Sequence, residues 1–222
     1  MAYTLQDAQE LIASEMDQSP TAPTVGGQDW NIRKNALNRA LIDFDNSNEW
    51  ESLKVVYNSN VTTTGFATLG LPVNFKKLDS RPLIGGFTTP FPVIDPSTNN
   101  QYLDSDQFIN VFDNSKDGKS IYIHAQGLVS GASVQFTYYK SPMTLSAATD
   151  IIEVPDPTYV VQRALYYIYK GREDGRFPEA KVEADKILAR MMENESSLGL
   201  AYKDRSVPNQ LERKSFRIGR DG

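Results

Sequence analysis

Asp113, Ser115 and Asp117 alternate ahead of Gly118, the order that opens a calcium-binding loop. In such a loop the oxygens at positions one, three and five face the ion, and a bidentate glutamate closes the site at position twelve. Here position twelve is His124 and the flanks read as strands, so a β-turn is expected instead. Paired carboxylates occur at Asp104/Asp106 and Glu173/Asp174. Glycoside hydrolysis needs two carboxyl groups at a set separation in space. With 28 acidic residues in the chain, such pairs arise by chance, and turns or solvated faces account for them. His124 is the single histidine, which excludes a histidine triad or a multi-histidine metal site within one chain. It falls on the polar side of an alternating strand and is expected at the surface. The glycine pairs at 26–27 and 85–86 lack the Lys and Ser/Thr of a phosphate loop. With no cysteine, thiol nucleophiles and disulfides are also excluded. No catalytic residue, cofactor site or metal site is expected.

What remains is binding chemistry, concentrated at the C-terminus. From Lys203 onward the chain holds six Lys/Arg against three Asp/Glu, a charge of +3 beside −8 for the remainder. Leu211, Phe216 and Ile218 are spaced among Arg213, Lys214, Arg217 and Arg220, and solvating tails are usually poor in such apolar residues. Lys203, Arg205 and these seven residues form the expected partner-binding set. The segment is expected to dock on an acidic surface or insert between subunits. Tyr159, Tyr166, Tyr167 and Tyr169 are a second candidate. Helical spacing puts Tyr159, Tyr166 and Tyr169 near an apolar face, where they serve either core packing or subunit contact.

These groups must be carried by helices at both ends of the chain. Asp156 and Pro157 start a helix by side-chain capping and a proline at the first position. Its apolar face is Val160, Val161, Ala164, Leu165 and Ile168, and Gly171 is expected to end it in a left-handed conformation. Pro178 opens a second helix to about Asn194, with Ala180, Ala184, Ile187, Leu188 and Met191 inward. Near the N-terminus, Thr4 and Asp7 resemble a capping box for a helix over 4–18. Asp29 is expected to cap another, to about Asn46, with Ile32, Ala36, Leu37, Ala40, Leu41 and Phe44 inside. The pattern dissolves from Ser196.

Between Glu51 and Asp150 the charge density falls, to 15 charged residues in 100. Leu53/Val55/Tyr57 (except at Val56), Ile121/Ile123/Ala125 and Val134/Phe136/Tyr138 alternate with polar residues, the period of half-buried antiparallel strands. Ser59–Thr64 and Gly65–Leu71 read as the arms of a hairpin, and 79–118 as an extended loop or edge hairpins. The fold expected is therefore α+β: a four-helix bundle with an inserted antiparallel β domain, a small sandwich or barrel, and an extended C-terminal tail. Its divisions are 1–50 and 151–195 for the two helix pairs, 51–150 for the β domain and 196–222 for the basic tail.

The net charge of −5 argues against a chain that coats nucleic acid, and no apolar run approaches the length of a membrane helix. No sequence-specific nucleic-acid binding and no membrane contact are expected. The order of several motifs carries a resemblance: Asn35-Ala-Leu-Asn38, then Trp50, then Leu71-Pro-Val-Asn-Phe-Lys-Lys77, Val134-Gln-Phe-Thr-Tyr-Tyr-Lys-Ser-Pro142 and Ile151-Ile-Glu-Val-Pro155. The layout resembles the head-to-tail adaptor (connector) proteins of tailed bacteriophages, particularly short-tailed phages, through about residue 194. The resemblance implies a structural, non-enzymatic virion protein. It implies a ring, usually dodecameric, between the portal protein and the tail nozzle, assembled in the host cytoplasm. It also implies a C-terminal tail that extends onto the portal or a neighbouring subunit. The competing readings are a carbohydrate- or receptor-binding tail component using the Tyr-rich β region, and a virion glycosidase using Asp104 or Asp106.

Overall fold

A computed structural model describes residues 2–19, 21–94, 107–114 and 118–206. Its order is α1 (Leu5–Asp17), α2 (Gln28–Ser47), a 3₁₀ turn (Glu51–Leu53), seven strands, α3 (Pro157–Gly171) and α4 (Phe177–Ser206). The strands are β1 (Lys54–Asn60), β2 (Phe66–Gly70), β3 (Phe75–Leu78), β4 (Leu83–Ile84), β5 (Phe108–Asn114), β6 (Gly118–His124) and β7 (Ser133–Lys140). The chain is α+β, with four helices and antiparallel sheets among the described residues.

Local chemistry accounts for the helix starts. Thr4 caps α1, and Asp7 reciprocates by accepting from the Thr4 backbone N–H at 2.8 Å. Asp156 accepts from the Thr158 N–H at 3.1 Å, with Pro157 at the first position of α3. Three expectations differ. Gly27, not Asp29, occupies the cap of α2; Asp29 lies in the first turn, where its charge complements the helix dipole. Gly171 closes α3 in ordinary backbone, and the left-handed residue is Glu173, with φ 55°. Ile32 is 41% exposed, because Arg33 takes the inward position beside it and pairs with Asp17.

The fourth helix also continues past Asn194 to Ser206. A nucleated helix propagates without an apolar stripe, and Gly199 costs it only about 1 kcal/mol. The first proline beyond Pro178 is Pro208, and helices usually stop before the residue that precedes a proline.

The strands form two sheets. One has the order β1-β7-β3, with β4 also on β7; the other is β2-β6-β5. The expected hairpin between Ser59–Thr64 and Gly65–Leu71 does not form. Of its first arm only Ser59 and Asn60 are strand, at the end of β1 opposite β7, whereas the second arm holds β2, opposite β6 in the other sheet. Within 79–118, β5 is a seven-residue strand paired along its length with β6. The alternation expected for β7 is present: Val134, Phe136 and Tyr138 are buried, with Gln135 exposed between them.

Buried side chains gather in two clusters. One unites all four helices through Leu5, Leu37, Phe44, Leu165 and Ile187, and takes in Trp50 and Leu53. The other unites the two sheets through Leu69, Ile109, Ile121, Val134 and Phe136. Between them lies a polar junction. Asn38 donates to the Leu145 carbonyl at 3.0 Å and accepts from the Leu145 N–H at 2.8 Å. Asp45 accepts from Lys76 Nζ at 2.9 Å and from the Ser141 hydroxyl at 2.8 Å. Lys77 bonds Glu49, and the Tyr139 hydroxyl donates to Glu51 at 3.0 Å. Trp50 stacks on Phe44 with centroids 4.3 Å apart and donates its indole N–H to the Phe44 carbonyl. Thr4 bridges to Ile151. The five motifs that carry the adaptor resemblance thus all reach this junction or the strands that enter it.

Candidate interaction surface

Among the described residues, those considered for chemistry are held in turns or strand packing. Asp104, Asp106, Ser115 and Asp117 lie outside the described residues. Asp174 is committed to the α3–α4 turn. Its hydrogen bonds from the Arg176 side chain and backbone hold its carboxyl down to about 2, so it carries no proton to give at neutral pH. Asp150 lines a shallow cleft with Met143, Thr144 and Ile151, and there it is a turn acceptor. The N–H groups of Ser146 and Ala147 bond one of its oxygens, and these bonds lower its pKa. His124 is half-buried rather than at the surface, with its ring stacked on Phe108 at 5.1 Å.

The structure does assemble a surface on α3. Arg163, Tyr166, Tyr167 and Lys170 fall three or four residues apart and share its outward face. α2 contributes Arg39 and Asp43; α4 contributes Asp185 and Phe177. The Arg39 guanidinium lies 4.1 Å from the Tyr167 ring centroid, and that of Arg163 lies 5.2 Å from Tyr166 and 5.5 Å from Tyr167. Arg163 Nε donates to Asp43 Oδ2 at 2.6 Å, with Nη1 3.6 Å from Asp185. The Tyr167 hydroxyl donates to the same Asp43 oxygen. Lys170 Nζ lies 5.6 Å from the Tyr166 centroid, and the Phe177 ring is 6.5 Å from Tyr166. Ile32 and Ile42, 41% and 60% exposed, share the outer side of α2 with Arg39 by helical spacing.

Electrostatics fix these side chains before any partner arrives. Burial, and next the bond to Asp43, raise the pKa of the Tyr167 phenol. Burial alone would lower that of Arg163, but the Asp43 hydrogen bond and charge outweigh it and raise it. Both stay in their donor forms at neutral pH. Half-exposed tyrosines, held by arginines stacked on their rings, lose little freedom on docking. Arg and Tyr are also the residue types enriched at the energetic centres of interfaces.

Of the four tyrosines on α3, Tyr159 and Tyr169 are buried in the helical cluster, while Tyr166 and Tyr167 are half-exposed. The sequence pattern names Tyr166 and Tyr167 but not Arg39 and Asp43, the α2 residues that hold Tyr167. Of the predicted partner-binding set, Lys203 and Arg205 fall on the last turns of α4. Leu211, Arg213, Lys214, Phe216, Arg217, Ile218 and Arg220 lie outside the described residues.

The sequence model of the family described as "SU10 adaptor protein" matches residues 3–210. The chain belongs to that family. It is a bacteriophage structural adaptor protein. Membership implies a component of the virion that contacts other virion proteins, such as portal and tail. The matched span takes in both buried clusters and α4 to its end. No curated protein matches the chain.

Proposed function

We propose that this adaptor forms a homo-oligomeric ring between the portal protein and the tail nozzle, at the head–tail interface of the virion. The ring is dodecameric, as the resemblance to short-tailed phage connectors implies, and assembles in the host cytoplasm. In this reading the four helices make one bundle with the β region as an inserted domain, and the protein catalyses nothing. The observation that carries the reading is the Arg39/Arg163/Tyr166/Tyr167 surface. A family member built to contact other virion proteins presents preorganised tyrosine and arginine side chains on its helical layer. The nine tail residues named above, Lys203 through Arg220, add a second contact, onto the portal or an adjacent subunit.

Electron microscopy of the purified protein mixed with portal tests this. Rings seated on the portal are expected, and native mass spectrometry counts their subunits. Particles that leave the portal bare would refute the reading. Removal of residues 207–222 should weaken binding to portal-bearing capsids at matched ionic strength. Equal binding by the full-length and shortened proteins would remove the tail from the interface.

A further inference from the structure

Two groups of charged side chains on this subunit, of opposite sign, have no ionic partner among the described residues. α1 carries four carboxylates, Asp7, Glu10, Glu15 and Asp17, and no lysine or arginine. Asp7 serves the cap and Asp17 pairs with Arg33. Glu10 and Glu15 are exposed, and neither has a cationic partner among the described residues; Glu10 only accepts from the Gln6 amide. The opposite set lies on the aromatic surface. Arg39 and Lys170 are exposed, and among the described residues they meet the rings of Tyr167 and Tyr166 but no carboxylate.

These two sets lie on opposite sides of the helical layer. Residues two apart on a helix point in nearly opposite directions, so Tyr169 faces away from Tyr167. Tyr169 is buried toward the end of α1, where Glu15 and Asp17 act on its phenol alongside Arg176 and Asp174. α1 is fixed there by the Gln9 amide, which donates to the Trp30 carbonyl at 3.1 Å, and by the Arg33–Asp17 pair. The acidic side of α1 therefore cannot reach the cationic surface of its own subunit.

We propose that the outer side of α1, flanked by Glu10 and Glu15, docks on the Arg39/Tyr166/Tyr167/Lys170 surface of a second copy of this chain. The contact joins two different patches, so it is head-to-tail, and it generates a ring when the rotation between copies closes. Tyr166 and Tyr167, with Ile32 and Ile42 beside them, supply the area. Glu10 and Glu15 set the register against Arg39 and Lys170, since like charges brought together there would cost several kcal/mol. The inference rests on the adaptor reading and deepens it by naming the surfaces through which neighbouring copies meet.

Complementary charge reversal tests it. Portal-bearing capsids are purified from cells that supply one of four proteins: wild type, Arg39→Glu with Lys170→Glu, Glu10→Lys with Glu15→Lys, or all four substitutions together. Adaptor copies per capsid are then measured by quantitative mass spectrometry. Each double variant should lose at least about tenfold in retained copies, and the fourfold variant should recover to within about twofold of wild type, because repulsion becomes attraction when both sides are reversed. Unchanged retention of both double variants would overturn the proposal. Loss without recovery in the fourfold variant would also overturn it, and would assign the cationic surface to the portal. Wild type absent from the capsids would instead sink the adaptor reading itself. The four positions are exposed, so melting temperatures equal to wild type confirm that the variants are folded.

Discussion

The helical and β parts of this protein bring their cores together over different distances along the chain. In each helix the inward residues follow one another at three- and four-residue spacing, as Val161, Ala164, Leu165 and Ile168 do in α3. In the sheets, Lys54 lies opposite Tyr139, whereas Phe66, only six residues beyond the end of β1, lies opposite His124 in the other sheet. The helices can form from local information; the sheets exist only once distant segments have met, at the cost of closing long loops. Yet the helical cluster also depends on the strand region to close, because α2 and α3, which precede and follow it in the chain, meet through Asp43 and Arg163. The two clusters are separate in their side chains and dependent in their assembly.

Core truncations test that separation most strongly. Trp50→Ala should cost about 3–5 kcal/mol and Leu165→Ala or Ile187→Ala about 2–5 kcal/mol, measured by urea unfolding. Phe136→Ala should match them from the β side. In calorimetry, independent clusters would show two transitions, with Phe136→Ala lowering only one of them. A single transition lowered by every variant would merge the two parts into one cooperative unit. Asn38→Ala comes next. It strips both backbone groups of Leu145 of their side-chain partner and should cost about 1–3 kcal/mol.

Helix capping is a smaller and local effect. Thr4→Ala should cost about 1 kcal/mol. The Thr4 backbone N–H, and next its hydroxyl, hold the Asp7 carboxyl below its ordinary 3.8. That contribution is present above pH 3.8 and is lost as pH falls through the depressed value. The stability gap between wild type and Asp7→Asn should therefore narrow in acid; a gap that widens below pH 3.8 would contradict the assignment. The smallest effect belongs to Tyr3→Phe. The Tyr3 hydroxyl is buried without a hydrogen-bond partner among the described residues, so its loss removes a desolvation cost and should raise stability at pH 7 slightly, by up to about 1 kcal/mol. Burial, and next Asp7 and Glu10, push that phenol up to about 12. Wild type should then lose stability relative to Tyr3→Phe as pH rises from 10 through 12.

The same contrast governs what could be read in advance. Caps and stripes placed α1, α3 and the start of α4 because their causes lie within a few residues: Thr4 with Asp7, Asp156 with Pro157. The alternation of β6 and β7 was equally local. Strand pairing was not, and adjacency along the chain suggested a hairpin of Ser59–Thr64 with Gly65–Leu71 that does not form. β5 is the edge strand of a hairpin with β6, one of the two alternatives expected over 79–118; its bounds were not legible because the Phe108-Ile-Asn-Val-Phe112 run follows an irregular proline-containing segment. The α3 surface was half legible. Tyrosines at helical spacing announced a face, but whether Tyr166 or Tyr169 pointed outward depended on where α1 packed. Arg39 and Asp43 join the site from more than a hundred residues away, and no spacing rule connects them.

The junction has a mechanical consequence. β1 leaves the helical part and β7 returns to it, and the two are hydrogen-bonded side by side from Lys54↔Tyr139 to Asn60↔Ser133. A single-strand tether would act as a swivel. This paired ribbon, braced at its base where Asp45 holds both Lys76 and Ser141, resists twisting and bending together. Force applied to the sheets along the strands is shared by two chains anchored side by side at the same base. The β part is therefore a stiff lever on the helical layer, and a push at its far end arrives at the helices as a displacement instead of being absorbed in a hinge.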